Sequence, residues 1–457
     1  MPFVVSILLL AVLGAFVGAL VNWAIYQWAI TMHRPISPWM KRRPDRVSPE
    51  DGEKLKQLAP RTLADRIPVF GWFRLRRDEN IRNIWGKNCW VRPLLIEITW
   101  VIGLPLFYWW QLSGGLIGVD PATKLVAPDA AAYPSLATTW FCLHSVLIAL
   151  MFIATFIDFD EQMIPDNVTV PGTLLALLSA TVFTSSRLPE IVPTPAMLWK
   201  LLIIDFASPP TPNAGAWLLG STGLLSCLLI FTIWVWGLLP KLIPSRDFRL
   251  GLFGSLKITF ATILRPKRRS QCDIRTKPRR MFGLTKAYLV MWLLGVLLLI
   301  VAWLGLLGPV QKLSLISAFI GLAVSGGLIW GIRIVARMAL GQEAMGFGDV
   351  TLMCMVGAFL GWQASIVGFI YSILFALVLA IVLFVMTKKS YLAFGPYLCM
   401  GTLLALLRWP SVWREFNAVF WLGPILLIPL AASLVAMAVL LPIVRWGKEK
   451  AFGVDME

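Results

Sequence analysis

GQEAMGFGDVTLMCMVGAFLGW, residues 341–362, sets one carboxylate, Asp349, between a glycine-rich turn and a long apolar run that reads as membrane-embedded. An acid beside a bilayer is costly, and it marks a functional position by default. Similar apolar runs recur along all 457 residues, which are 58% hydrophobic and only 14% charged, with a mean hydropathy of +0.76. Crossing roughly 30 Å of hydrocarbon takes about 20 residues of helix. The chain is therefore expected to be all-α, a polytopic helical membrane protein of about 11 transmembrane helices with no substantial sheet. No internal repeat of the transporter kind is visible.

The net charge of +17 sits in the loops between apolar runs. Positive-inside topology accounts for that distribution better than a nucleic-acid footprint, which needs a basic face on a folded domain. The first run, MPFVVSILLLAVLGAFVGALVNWAIYQWAI, lacks a basic leader and a small-residue cleavage site, so we read it as a retained span that starts outside. The organisation expected from there is a first transmembrane helix at 1–33, a basic cytoplasmic region at 34–93, and helices with a first acidic motif at 94–240. A basic cytoplasmic insertion at 241–286 and helices with the glycine motif at 287–457 complete it. On this count FIDFDEQMIPD and GQEAMGFGD face the same, cytoplasmic side.

The six cysteines stand singly, without a CxxC pair, and His33 and His144 are far apart, so no metal site and no cofactor is expected. Acids are more informative. In FIDFDEQMIPDNVTVPG, Asp158 and Asp160 would point to nearly opposite sides of a continuing helix and cannot both serve one site. Asp160, Glu161 and Asp166 suit an interfacial turn, with Pro165 breaking the helix and Asp166 or Asn167 capping the next. Asp158 directly follows the apolar ATFI, at a depth where ionisation is penalised. Gly346 and Gly348 flank Phe347 and let another chain approach closely, which suits an extended substrate; equally, they can make a turn in which Asp349 caps a helix. Two carboxylates on one membrane face are what acid/base hydrolysis needs: one activates water while the other, protonated, polarises a carbonyl.

At this point the residues resemble the type IV prepilin peptidases, GxGD aspartyl proteases of the bacterial inner membrane. GALVNWAIY, DRIPVFGWF and VRPLLIEITW resemble that family's early motifs, IDFDEQMIPD and EAMGFGDVTLMCMVGAFLGW its two catalytic motifs, and FGPYL its late one. The resemblance implies Asp158 and Asp349 as catalytic residues, and prepilin-like or pseudopilin precursors as substrates, cut behind a basic leader at the cytoplasmic face. The chain departs from the family at several points. Cys89 alone stands where many members carry two CxxC pairs, which argues against the accompanying N-methylation with S-adenosylmethionine. Thr351 replaces a lysine, and the basic insertion separates the motifs. The expected partners are prepilin-like proteins and membrane lipids. Two other functions fit the sequence less well. A Mg²⁺-dependent lipid or prenyl transferase would use the acids of DFDEQMIPD on a cation, and a transporter or scaffold would use neither aspartate for cleavage.

Overall fold

The computed structural model describes residues 3–29, 37–39, 50, 53, 56, 61–77, 79–205, 216–238, 279–340, 345–387 and 393–420, with short stretches between 426 and 440. Part of the basic region, residues 241–278 of the insertion, residues 341–344 before the glycine motif, and about half of the last apolar run at 418–444 lie outside the described residues.

Helices dominate: α1 (Phe3–Trp28), α2 (Phe70–Leu75), α3 (Glu79–Trp85), α4 (Val91–Leu112), α5 (Ala127–Glu161) and α6 (Asp166–Val182) precede a two-stranded hairpin. After it come α7 (Ser221–Leu238), α8 (Arg279–Val301), α9 (Pro309–Leu340), α10 (Phe347–Leu360), α11 (Trp362–Thr387), α12 (Gly395–Leu407) and α13 (Trp409–Phe420). The hairpin is antiparallel, β1 (Pro189–Pro193) on β2 (Trp199–Ile203), with Pro189 opposite Ile203. The all-α polytopic expectation therefore holds. Among the described residues seven helices are long and apolar enough to cross a membrane, including Ala287–Leu306, which extends α8. Three further expected spans are present as shorter helices, α6 with 17 residues, α10 with 14 and α12 with 13.

The chain folds as two compact units, one of Gly215–Lys312 and one of the remaining residues. In the smaller, α7 packs on α8, and Trp292 Nε1 donates to the Thr232 hydroxyl at 3.1 Å. In the larger, α1 lies along α4, and Glu97 of α4 ties both to the segment before α2. Its buried carboxylate accepts from Asn22 Nδ2 at 3.1 Å, Trp72 Nε1 at 2.8 Å and the Val69 amide. Val69 sits at φ 65, inside a three-residue turn closed by the Phe70 amide on the Pro68 carbonyl at 2.7 Å. A β-branched residue adopts that conformation only under strain, of order 1–3 kcal/mol, which charge-assisted bonding at its amide offsets.

The core of this unit is α10, buried at every residue from Asp349 to Leu360. A helix that is apolar all round must be enclosed, and α5, α6, α11 and α12 contact this one. Against α9 the approach is backbone to backbone: a side chain on Gly357 would strike the Gly321 carbonyl. Small residues allow such contact inside a bilayer, where burial alone does not drive helices together.

At the N-terminal end of α5 the hairpin forms a cap. Asp129 Oδ2 accepts from the Leu201 amide at 2.8 Å and the Pro189 carbonyl accepts from Trp409 Nε1 at 2.8 Å. Arg187, 4% exposed, donates to the Ser314 carbonyl at 3.0 Å. Burial pulls its pKa down to about 10, against the opposing pull of the Asp205 charge.

Replacing Glu97 with Ala removes an acceptor shared by three donors and leaves the Trp72 indole and the Val69 amide without it, while Asn22 keeps its bond to the Pro93 carbonyl at 2.8 Å. Glu97→Ala is expected to cost at least about 3 kcal/mol, measurable as a lowered midpoint of thermal unfolding in detergent.

Candidate active site

Asp158 lies on the last turn of α5. The helix runs on to Glu161 and ends at Gln162, which takes φ 53 and donates its amide to the Asp158 carbonyl at 2.8 Å. Because the helix continues, Asp158 and Asp160 diverge by about 200°. Asp158 is turned inward, 5% exposed, while Asp160 forms a two-pronged ion pair with Arg92 of α4, at 2.7 and 2.8 Å. Arg92 also donates to the Phe156 carbonyl at 3.2 Å and lies 4.7 Å over the Phe156 ring. The acid assigned to a plain interfacial turn thus fastens the end of α5 to α4. Pro165, not Asp166 or Asn167, occupies the cap position of α6, and Asp166 is its first helical residue, where its charge still favours the helix N-terminus.

Asp349, 6% exposed, is in the first turn of α10, and its Oδ2 accepts the Gly346 amide at 3.1 Å. Gly346 is the cap residue of α10, and Asp349, three residues on, returns its carboxylate to that amide, so the turn offered as the alternative reading of the glycines is present. Gly346 itself has φ −69 and ψ 154, which any residue adopts, and it is exposed. Gly348 is needed for space: a Cβ there would lie 2.8 Å from Cβ of Ile164, in the turn after α5. That contact brings the two acidic motifs together, and the two carboxylates lie within electrostatic reach of each other.

A third element completes the site. The first residue of α12, Gly395 in FGPYL, donates its amide to Asp158 Oδ2 at 3.1 Å. Each carboxylate is thus held at a helix N-terminus, where unpaired amides and the helix dipole favour negative charge. Cys399, one turn further along α12, shares a hydrogen bond with Thr155 and feels the charge of both aspartates. The sequence marked FGPYL as a motif but gave no sign that its backbone would serve Asp158. Arg92 and Cys399 carried no signal either. Among the described residues no group of three or more His, Cys, Asp or Glu is arranged to hold a metal ion.

Fold and site together define a multi-pass helical membrane protein with two buried aspartates paired at helix starts. Residues 287–381, which include Asp349, match the type IV leader peptidase family. The chain is also 33% identical over 127 residues to a prepilin leader peptidase/N-methyltransferase of Pseudomonas aeruginosa, covering 26% of this chain and 43% of that one. Proteins of the same description from Neisseria gonorrhoeae and Escherichia coli K12 are 35% and 30% identical, over 26% and 24% of this chain and 42% and 51% of theirs. The chain thus spans about half the length, or less, of these curated relatives. No solved structure matches it. Over these segments, about a quarter of its length, the chain is similar to the prepilin leader peptidases, in line with the resemblance its motifs carry.

A methyl group on Gly395 would lie 2.5 Å from Asp158 Oδ2, whereas one on Gly103 of α4 meets nothing within 4 Å. Gly395→Ala should therefore destabilise the protein by about 1–3 kcal/mol and Gly103→Ala should not, as compared by thermal unfolding of the two variants.

Proposed function

We propose that the chain is an intramembrane aspartic endopeptidase that removes the basic leader from type IV prepilin-like or pseudopilin precursors. The observation that carries this is the meeting of Asp158 and Asp349, from motifs far apart in sequence, beside the amides of Gly346 and Gly395. Two close, buried carboxylates share a proton more readily than both ionise. The ionised member takes a proton from water, whose oxygen attacks the scissile carbonyl carbon, while the protonated member donates to the carbonyl oxygen. Return of the protons, one to the amide nitrogen, breaks the C–N bond without a covalent intermediate.

Phe347, with the backbone at Gly346 and Gly348, is the proposed contact for an extended substrate. Helices α10 and α12, at about 1.5 Å per residue, are only about 20 Å long, shorter than the hydrocarbon core. Starting at the carboxylates, they favour a site recessed at one membrane face. The loop charges favour the cytoplasmic face of a bacterial inner membrane. The lack of CxxC pairs favours a product whose new N-terminus stays unmethylated.

Asp158→Asn and Asp349→Asn should each lower cleavage of a prepilin reporter by at least about a hundredfold, assayed with the purified full-length protein in liposomes. Wild-type turnover by either variant removes the mechanism. Cleavage should persist in EDTA, and mass spectrometry of the product should find a free amine at the cut.

A further inference from the structure

The turn that presents Asp349 is held from outside its own helix. Arg333, partly buried on α9, donates from Nε to the Met345 carbonyl at 3.1 Å, just before Gly346 gives its amide to Asp349. The guanidinium carbon lies 5.6 Å from the centre of the Phe347 ring, within the range of cation–π attraction, and its positive charge acts on Asp349. One side chain therefore touches the residue before the glycine motif, the aromatic within it, and the field at its acid.

Position 351, two residues past Asp349, is Thr351, whose hydroxyl donates to the Gly348 carbonyl at 3.0 Å. It brings no charge. The other groups acting on Asp349 are the Gly346 amide and the Asp158 carboxylate, the latter repulsive. Arg333 is thus the cation that the described residues place against Asp349, and its guanidinium donates to a carbonyl from Nε while lying within cation–π range of a ring.

We propose that Arg333 is a positioning residue for Asp349: it fixes the Met345–Phe347 turn in one geometry and sets a positive charge against that carboxylate. It acts through Asp349 rather than on substrate. The proposal rests on the protease function for its kinetic consequence, but not for its structural one.

Two measurements on full-length protein separate these. In prepilin cleavage, Arg333→Gln should lower kcat roughly tenfold to a hundredfold, the range expected when a reacting group is misplaced by about an ångström. KM should rise by a smaller factor than kcat falls, since the same turn also carries Phe347, the proposed substrate contact, while the loss at Asp349 falls on the reaction step. Arg333→Lys, keeping the charge but not the fork, should recover part of the lost kcat. In hydrogen exchange, the amides of residues 346–349 should exchange faster in Arg333→Gln while those in the middle of α10 are unchanged. Wild-type kcat and wild-type exchange in Arg333→Gln overturn the proposal, as does a lowered kcat with unchanged exchange and no recovery by lysine. If the wild-type protein cleaves no prepilin yet exchange still responds to Arg333→Gln, the fastening role stands and the protease function fails.

Discussion

Two buried carboxylates within electrostatic reach of each other repel, and the structure holds them by aiming a helix start at each. Asp349 caps the first turn of α10, and Asp158 receives the first amide of α12. Each arrangement satisfies backbone donors that a helix otherwise leaves unpaired, and each lays the positive end of a helix dipole against an acid. Neither helix can shift by a turn without uncovering its carboxylate. The short lengths of α10 and α12 follow, since both must begin at the site and not at the membrane surface.

Helices that begin inside apolar surroundings need partners along their whole length, because exposed backbone ends are costly there. For α10 that demand is met by burial of every residue from Asp349 onward and by the bare backbone contact of Gly357 with Gly321. Anchors also hold the surrounding helices. The Arg92–Asp160 pair fixes the end of α5 that carries Asp158, and the Glu97 cluster fixes α1 and the strained Val69 turn to α4. At the other end of α5, roughly 50 Å away for a 35-residue helix, the hairpin and Arg187 close the bundle with buried polar bonds.

Much of this was legible in the sequence because two signals are local. Apolar runs of sufficient length announce helices that cross a membrane, and Asp158 and Asp349 announce themselves as acids abutting such runs. The opposed faces of Asp158 and Asp160 followed from helical periodicity alone. What stayed hidden has no side-chain signature or a misleading one. The Gly395 amide is a backbone donor, and any residue but proline offers one. Glu97 sits in an apolar stretch that only the fold surrounds with Asn22, Trp72 and Val69. By composition α10 looks like a lipid-facing span, since bilayer and protein interior select the same residues; only its length separates the two.

Arginines at the ends of membrane helices pose the harder version of the same problem. A positive charge at a boundary is accounted for at once by topology, so Arg92 and Arg333 drew no separate attention. Yet each has a specific partner that a topological signal does not require: both oxygens of a carboxylate in one case, a carbonyl and an aromatic ring beside the second aspartate in the other. A lysine would serve the charge rule equally well at both positions, but a guanidinium can hold a carboxylate with one nitrogen and the Phe156 carbonyl with another, as Arg92 does, or bind a carbonyl from Nε beside a ring, as Arg333 does. The choice of arginine is therefore physical information beyond net charge, and it becomes readable once the helices carrying the two acidic motifs have been brought together.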